Sequence, residues 1–167
     1  QNKINKKFVY LISPNKISDI NFYNDLALVL SSKKISFFQL RLKKETNSNK
    51  LIIGKKIKKI CNKYKVKFLI NDDPLLAKKL NADGCHLGQK DMNLIKARKI
   101  LKNKIIGVTC HNSITLAKSA VEAGADYLAF GAFYTTKTKV VKYRASLTLL
   151  KSIKKITSLP IVAIGGI

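Results

Sequence analysis

Seven short apolar runs, separated by six longer stretches of helical spacing, constrain this chain more than any other feature. The runs are Phe8–Ser13, Phe37–Lys43, Lys67–Asp72, Gly84–Gly88, Ile105–Cys110, Tyr127–Phe133 and Pro160–Gly166. They are almost continuously apolar, as strands of a parallel sheet covered on both faces should be. The stretches between them alternate faces as helices do. In the second, Ile53, Ile57, Ile60, Cys61 and Tyr64 fall on one side. Lys55, Lys56, Lys58, Lys59 and Lys63 occupy the remainder. Asp73-Pro74 reads as a cap followed by proline in a first helical turn. Ser113 is a cap for the helix running to Glu122, and Gly124 is its stop.

Repeated strand–helix–strand units imply parallel strands and right-handed crossovers. An open doubly wound sheet and a closed barrel both satisfy this. The open sheet binds its ligand at one switch point, whereas a barrel gathers residues from the C-terminal ends of many strands. Polar or glycine-rich clusters follow the second through seventh runs, which favours the barrel. The expected fold is therefore α/β, a (β/α)8 TIM barrel that stops after its seventh strand. On this reading residues 1–167 form one C-terminally incomplete domain, feeble in catalysis and prone to associate through unpaired strand edges.

Composition narrows the function classes. An apolar fraction of 46% argues against disorder. No apolar run approaches the roughly 20 residues of a membrane span, and no signal peptide is visible, so a soluble cytoplasmic protein without a membrane partner is expected. Cys61, Cys85 and Cys110 are odd in number and form no CxxC pair, against a disulfide framework or a structural zinc site. The formal net charge is +24, yet only Arg41, Arg98 and Arg144 among the 33 basic residues are arginine. A reader of nucleic acid would favour arginine and stacking aromatics. The lysines read instead as a solvated outer surface, and no nucleic-acid partner is expected.

The chemistry-bearing residues gather after the runs. Gln39, Arg41 and Lys43 alternate with Phe38, Leu40 and Leu42. Strand alternation puts these three long polar side chains on one face, either as a polar edge or as a fork for an anion. Asp72 and Asp91 stand just beyond the third and fourth runs. They are either ion-pair partners of nearby cations or donors to a hard cation such as Mg²⁺, which takes one or two carboxylates plus phosphate oxygens. Thr109 ends the fifth run beside His111 and Asn112, and Thr136, Lys137, Thr138 and Lys139 follow the sixth. Gly165 and Gly166 close the seventh, where exposed backbone N–H groups suit a phosphate. His86 and His111 have no shared metal spacing and read as structural or supporting groups. No Ser/His/Asp arrangement and no cysteine nucleophile is present.

Taken in order, these segments resemble the thiamine-phosphate synthase family. The matching pieces are QLRLK at Gln39–Lys43, IND at Ile70–Asp72, DGCHLGQKDM at Asp83–Met92 and IGVTCHN at Ile106–Asn112. AGADYLAFGAF at Ala123–Phe133, TKTK at Thr136–Lys139 and PIVAIGGI at Pro160–Ile167 complete the set. The resemblance implies a Mg²⁺-dependent transferase. It would join hydroxymethylpyrimidine diphosphate to a thiazole phosphate, giving thiamine phosphate and diphosphate. It places Gln39, Leu40, Arg41, Leu42, Lys43, Asn71, Thr109 and Lys139 on the pyrimidine diphosphate. Thr136, Lys137, Thr138 and Gly166 fall on the thiazole phosphate, and Asp72 and Asp91 on Mg²⁺. Arg41, Lys43 and Lys139 would meet the departing charge. Thr109 stands where the family commonly has serine, and Ala132 and Thr135 where many members have proline. The thiazole-tautomerase branch of the same fold would not need Gln39, Arg41, Lys43, Asp72, Asp91 and Lys139 together. A basic nucleic-acid-binding protein is the other alternative, and no nucleic-acid motif supports it. Oligomeric state is not readable from the sequence.

Overall fold

The computed structural model describes residues 7–136 and 140–167. Among the described residues seven strands alternate with six helices, one helix between each successive pair of strands. This is the alternation that the apolar runs predict. The described residues divide into two compact units, one up to Asn71 with Leu75–Gly84 and the other Asp72–Pro74 with those from Cys85 onward.

The first unit holds β1 (Val9–Ile12), α1 (Phe22–Ser31), β2 (Ile35–Leu40), α2 (Asn47–Lys63), β3 (Lys67–Asn71) and most of α3 (Pro74–Lys79). β1 and β2 are parallel with Ile12 opposite Gln39, and β2 and β3 are parallel with Leu40 opposite Ile70. α2 packs on β3 and on α1. Ile53, Ile57 and Cys61 of its apolar face are buried, while Ile60 and Tyr64 are half-buried. Lys55, Lys56, Lys59 and Lys63 are exposed. Lys58 differs from its neighbours: its stem lies along the protein and its Nζ donates to the Leu80 carbonyl at 2.9 Å. Gly54 lets the Leu80 side chain pack against α2, because a Cβ there would press on it.

The second unit contains β4 (Gly84–Leu87) apart from its first residue, then α4 (Leu94–Leu101), β5 (Ile105–His111), α5 (Ile114–Glu122), β6 (Tyr127–Phe130), α6 (Leu147–Ile156) and β7 (Ile161–Ala163). β5, β6 and β7 are parallel in that order, with Thr109 opposite Ala129 and Ala129 opposite Val162. Side chains of Asn93, Ser113 and Ser146 cap α4, α5 and α6 by accepting from Ile95, Leu116 and Leu149 N–H groups. Gly124 ends α5 at φ +86°, as its position in the sequence predicts.

Two aspartates that the sequence does not single out fix strand starts. The Asp83 carboxylate accepts from Phe68 N at 2.9 Å while Asp83 N donates to the Phe68 carbonyl. Asp126 repeats the arrangement on Ile106, and Arg98 donates to the same Asp126 carboxylate at 2.6 Å. Each carboxylate satisfies a strand N–H near the start of its strand.

Six strand ends fall short of the apolar runs, β1 and β4 by one residue each. β2 stops at Leu40 rather than Lys43, β3 at Asn71 rather than Asp72, β6 at Phe130 rather than Phe133, and β7 at Ala163 rather than Gly166. At β2 the Ser13 hydroxyl takes the Arg41 N–H at 2.8 Å. At β3 the backbone turns left-handed, with φ +64° at Asp72. In both places a short polar contact or a turn ends the ladder although the sequence stays compatible with a strand.

Candidate active site

In the first unit the residues after β2 are built on a polar loop that follows β1. Gln39 is 2% exposed, and its amide donates to the Tyr10 hydroxyl at 2.8 Å. Leu40 and Leu42 are also buried. Both faces of the strand end are therefore covered, which explains why Gln39 needs an internal partner. Arg41 and Lys43 lie past the strand, so the alternation that groups them with Gln39 does not apply. Arg41 is half-buried, with its backbone held by Ser13 and its guanidinium donating to the Asn15 side-chain oxygen. Lys43 is exposed. Asn71 ends β3 and is half-buried. The supporting roles of Tyr10, Ser13 and Asn15 are missing from the sequence reading. The run Ser13-Pro14-Asn15, a polar turn directly after the first strand, was the available signal.

In the second unit Asp72 donates its backbone N–H to the His86 carbonyl at 2.7 Å. Asp91 folds back so that its Oδ2 accepts the Gly88 N–H at 2.7 Å. Burial, and then the negative charges of Asp72, Asp73 and Asp91, push the Cys85 thiol up. Asp72 and Asp91 thus act on one buried atom, although 19 residues separate them in sequence. Cys61, Cys85 and Cys110 are free and buried. Burial raises each thiol, Cys61 and Cys110 to about 12, so none is a poised nucleophile.

His86 is the centre of this unit's polar contacts. Its Nδ1 lies 2.7 Å from the Tyr127 hydroxyl and its Nε2 2.8 Å from Thr109 Oγ1. Burial lowers its pKa to about 4 against the opposing influence of Asp72, so the ring is neutral at physiological pH. Gly107 makes room for Tyr127, since a Cβ there would overlap the phenol Cζ. Gln89 donates to the Thr109 carbonyl. His111 stacks on Tyr143, with ring centroids 4.2 Å apart.

Thr136 is half-buried. Lys137, Thr138 and Lys139 lie outside the described residues. Gly165 and Gly166 have φ of +98° and +75°. Tyr134 N donates to the Gly165 carbonyl at 2.9 Å, and a Cβ on Gly166 would stand 2.7 Å from the Thr135 carbonyl oxygen. The glycine pair is therefore required by both conformation and close approach.

The donor set bears on the metal expectation. Among the described residues there is no group of three or more His, Cys, Asp or Glu arranged for a metal, which disfavours a site closed by protein ligands alone. Two carboxylates acting on one neighbourhood fit Mg²⁺, whose remaining ligands come from phosphate and water. Asp72 and Asp91 are the residues that would hold it.

The fold and the family follow from likeness to known proteins. Solved thiamine phosphate pyrophosphorylase from Pyrococcus furiosus superposes with a TM-score of 0.82 at 29% identity, covering 96% of this chain and 75% of that one. A truncated 3-deoxy-D-arabino-heptulosonate 7-phosphate synthase from Thermotoga maritima, at 15% identity and TM-score 0.65, shares the fold alone. The fold is α/β, of the (β/α)8 TIM-barrel class. The family profile described as thiamine monophosphate synthase matches residues 9–167. Thiamine-phosphate synthase of Pelagibacter ubique is 92% identical over all 167 residues, which correspond to 81% of its length. That of Nitrosomonas eutropha is 41% identical over 160 residues, covering 95% of this chain and 75% of that protein. The chain belongs to the thiamine monophosphate synthase family, and its activity is that of a thiamine-phosphate synthase, a transferase of thiamine biosynthesis. No helix among the described residues is long and apolar enough to cross a membrane.

Proposed function

We propose that this chain condenses hydroxymethylpyrimidine diphosphate with a thiazole phosphate in the cytoplasm, with Mg²⁺, releasing diphosphate and thiamine phosphate. The reading is carried by the family match over residues 9–167, and it is supported by two carboxylates, Asp72 and Asp91, whose charges both bear on the buried Cys85 thiol. Gln39, Leu40, Arg41, Leu42, Lys43, Asn71, Thr109 and Lys139 take the pyrimidine diphosphate. Thr136, Lys137, Thr138 and Gly166 take the thiazole phosphate. Bound Mg²⁺ supplies Lewis-acid neutralisation of the diphosphate charge.

The chain's own residues then have a limited task. The leaving diphosphate departs from a benzylic-type carbon, and the aminopyrimidine shares the positive charge that develops. No protein nucleophile is required, in keeping with three buried, raised thiols. Arg41, Lys43 and Lys139 meet the growing negative charge, and the remaining contacts hold the thiazole nitrogen close to the carbon. The test is an assay in which both substrates and Mg²⁺ are supplied and then omitted one at a time. Thiamine phosphate should form only in the complete mixture. Formation without Mg²⁺, or none in the complete mixture, would overturn the reading.

A further inference from the structure

The proposed roles leave one buried arrangement unused. Tyr127, His86 and Thr109 form a continuous line of contacts on three different strands, with both imidazole nitrogens engaged. His86 and Thr109 are 23 residues apart in sequence, and His86 and Tyr127 are 41 apart. The line ends at Thr109, which is half-buried, whereas Ile106, Gly107, Val108 and Cys110 of the same strand are buried. A neutral imidazole donates from one nitrogen and accepts at the other, so the direction of this line decides what Thr109 can offer a ligand.

The chemistry of the Tyr127–His86 pair fixes that direction. A phenol, with a reference pKa of about 10, is a stronger acid than a neutral imidazole N–H. An imidazole nitrogen is in turn a better base than a phenol oxygen. Across 2.7 Å the favoured bond therefore has Tyr127 donating its O–H to His86 Nδ1. The ring proton then sits on Nε2 and is donated to Thr109 Oγ1. Thr109 accepts on the inner side, and its own proton is left to point away from the ring. The reverse direction would use the Thr109 proton on His86 and leave an acceptor, which repels a phosphate oxygen.

We propose that Tyr127 and His86 are positioning residues that set Thr109 as a hydrogen-bond donor to the pyrimidine diphosphate. This rests on the reading of Thr109 as a ligand of that substrate. The arrangement has two supports in the fold. Gly107 clears the space that the Tyr127 ring occupies, and Gln89 holds the Thr109 carbonyl, which limits movement of that residue.

Two measurements test it. The chain contains only two histidines, so the ring nitrogens of His86 can be assigned by long-range ¹H–¹⁵N NMR with the His111→Gln variant as reference. The expected result is a single neutral Nε2–H tautomer, and an Nδ1–H tautomer would overturn the relay while leaving the ligand reading of Thr109 intact. The second measurement is the binding of hydroxymethylpyrimidine diphosphate by calorimetry, with folding followed by melting. Thr109→Ser should bind like wild type and Thr109→Val about tenfold more weakly, the size of one lost hydrogen bond to a charged group. Tyr127→Phe should weaken binding severalfold in the wild-type background but have no further effect in Thr109→Val, because the two act through one contact. Additive effects would mean that Tyr127 serves the fold only. Wild-type binding by Thr109→Val would overturn the ligand reading and the relay together.

Discussion

In the first unit Arg41, just after β2, is held by Ser13 and Asn15 of the loop that follows β1, and Gln39 within β2 is held by Tyr10 of β1. In the second unit Thr109, His86 and Tyr127 hold one another on neighbouring contacts, and Asp91 is held by its own turn. The first unit presents positive charge on a loop: Arg41 is half-buried and Lys43 exposed. The second presents carboxylates and a hydroxyl tied into buried structure. A long lysine can reach a leaving anion from a loop, whereas a hydroxyl or metal-binding carboxylate acts only at short range and so must be fixed in advance. Substitutions in the two units should therefore separate rate from stability in different ways.

The largest effect is expected at Asp91. Asp91→Asn should lower coupling at least ~100-fold, equivalent to about 2.7 kcal/mol of transition-state stabilisation, with the melting temperature nearly unchanged. A variant that loses stability and activity in parallel would show that Asp91 serves its turn rather than the reaction. Next comes Gly107→Ala. The added methyl meets the Tyr127 ring and should destabilise the protein by about 1–3 kcal/mol, read from denaturant unfolding. Retained stability would mean that the second unit is less tightly fixed than the contacts around His86 indicate.

The loop cation should, unlike Gly107, act on rate with little effect on stability. Lys43→Ala should slow the chemical step by about tenfold or more while changing stability by no more than ~0.5 kcal/mol. Lys139→Ala should share its kinetic signature. Thr136→Ala and Thr138→Ala should chiefly raise the apparent KM for the thiazole phosphate. Identical signatures in the two pairs would break the division of roles. The smallest effect belongs to the outer face of α2. Lys55→Gln combined with Lys59→Gln should leave melting within ~0.5 kcal/mol and lower kcat/KM only at low salt, where net charge attracts anionic substrates.

What the sequence discloses and what it hides follow the range of the forces involved. Apolar periodicity is local, so the strand–helix alternation and the buried Ile53, Ile57 and Cys61 were legible. The ends of β2 and β3 were not. Arg41 leaves the strand on a hydroxyl 28 residues away, and Asp72 leaves it through a left-handed turn bonded to His86. Nothing near Arg41 in sequence breaks the pattern, and at Asp72 only the Asp73-Pro74 cap that follows hints at the turn. The pairing of His86 with Tyr127 and Thr109 is equally non-local, and a histidine in an apolar run gives no sign of its partners. Asp83 and Asp126 were legible in principle, since each follows a buried alanine between a helix end and a strand. The motif residues for the two substrates were named from the family resemblance rather than from geometry.

Mg²⁺ at Asp72 is the proposed feature on which the chemistry depends most. The direct measurement is the single-turnover rate of thiamine phosphate formation as a function of Mg²⁺ concentration, in wild type and in Asp72→Asn. Wild type should rise from no detectable rate to a plateau. Asp72→Asn should need much more Mg²⁺ and reach a plateau at least ~100-fold lower, with its melting curve unchanged. Superimposable curves for the two proteins, or a wild-type rate independent of Mg²⁺, would contradict the account.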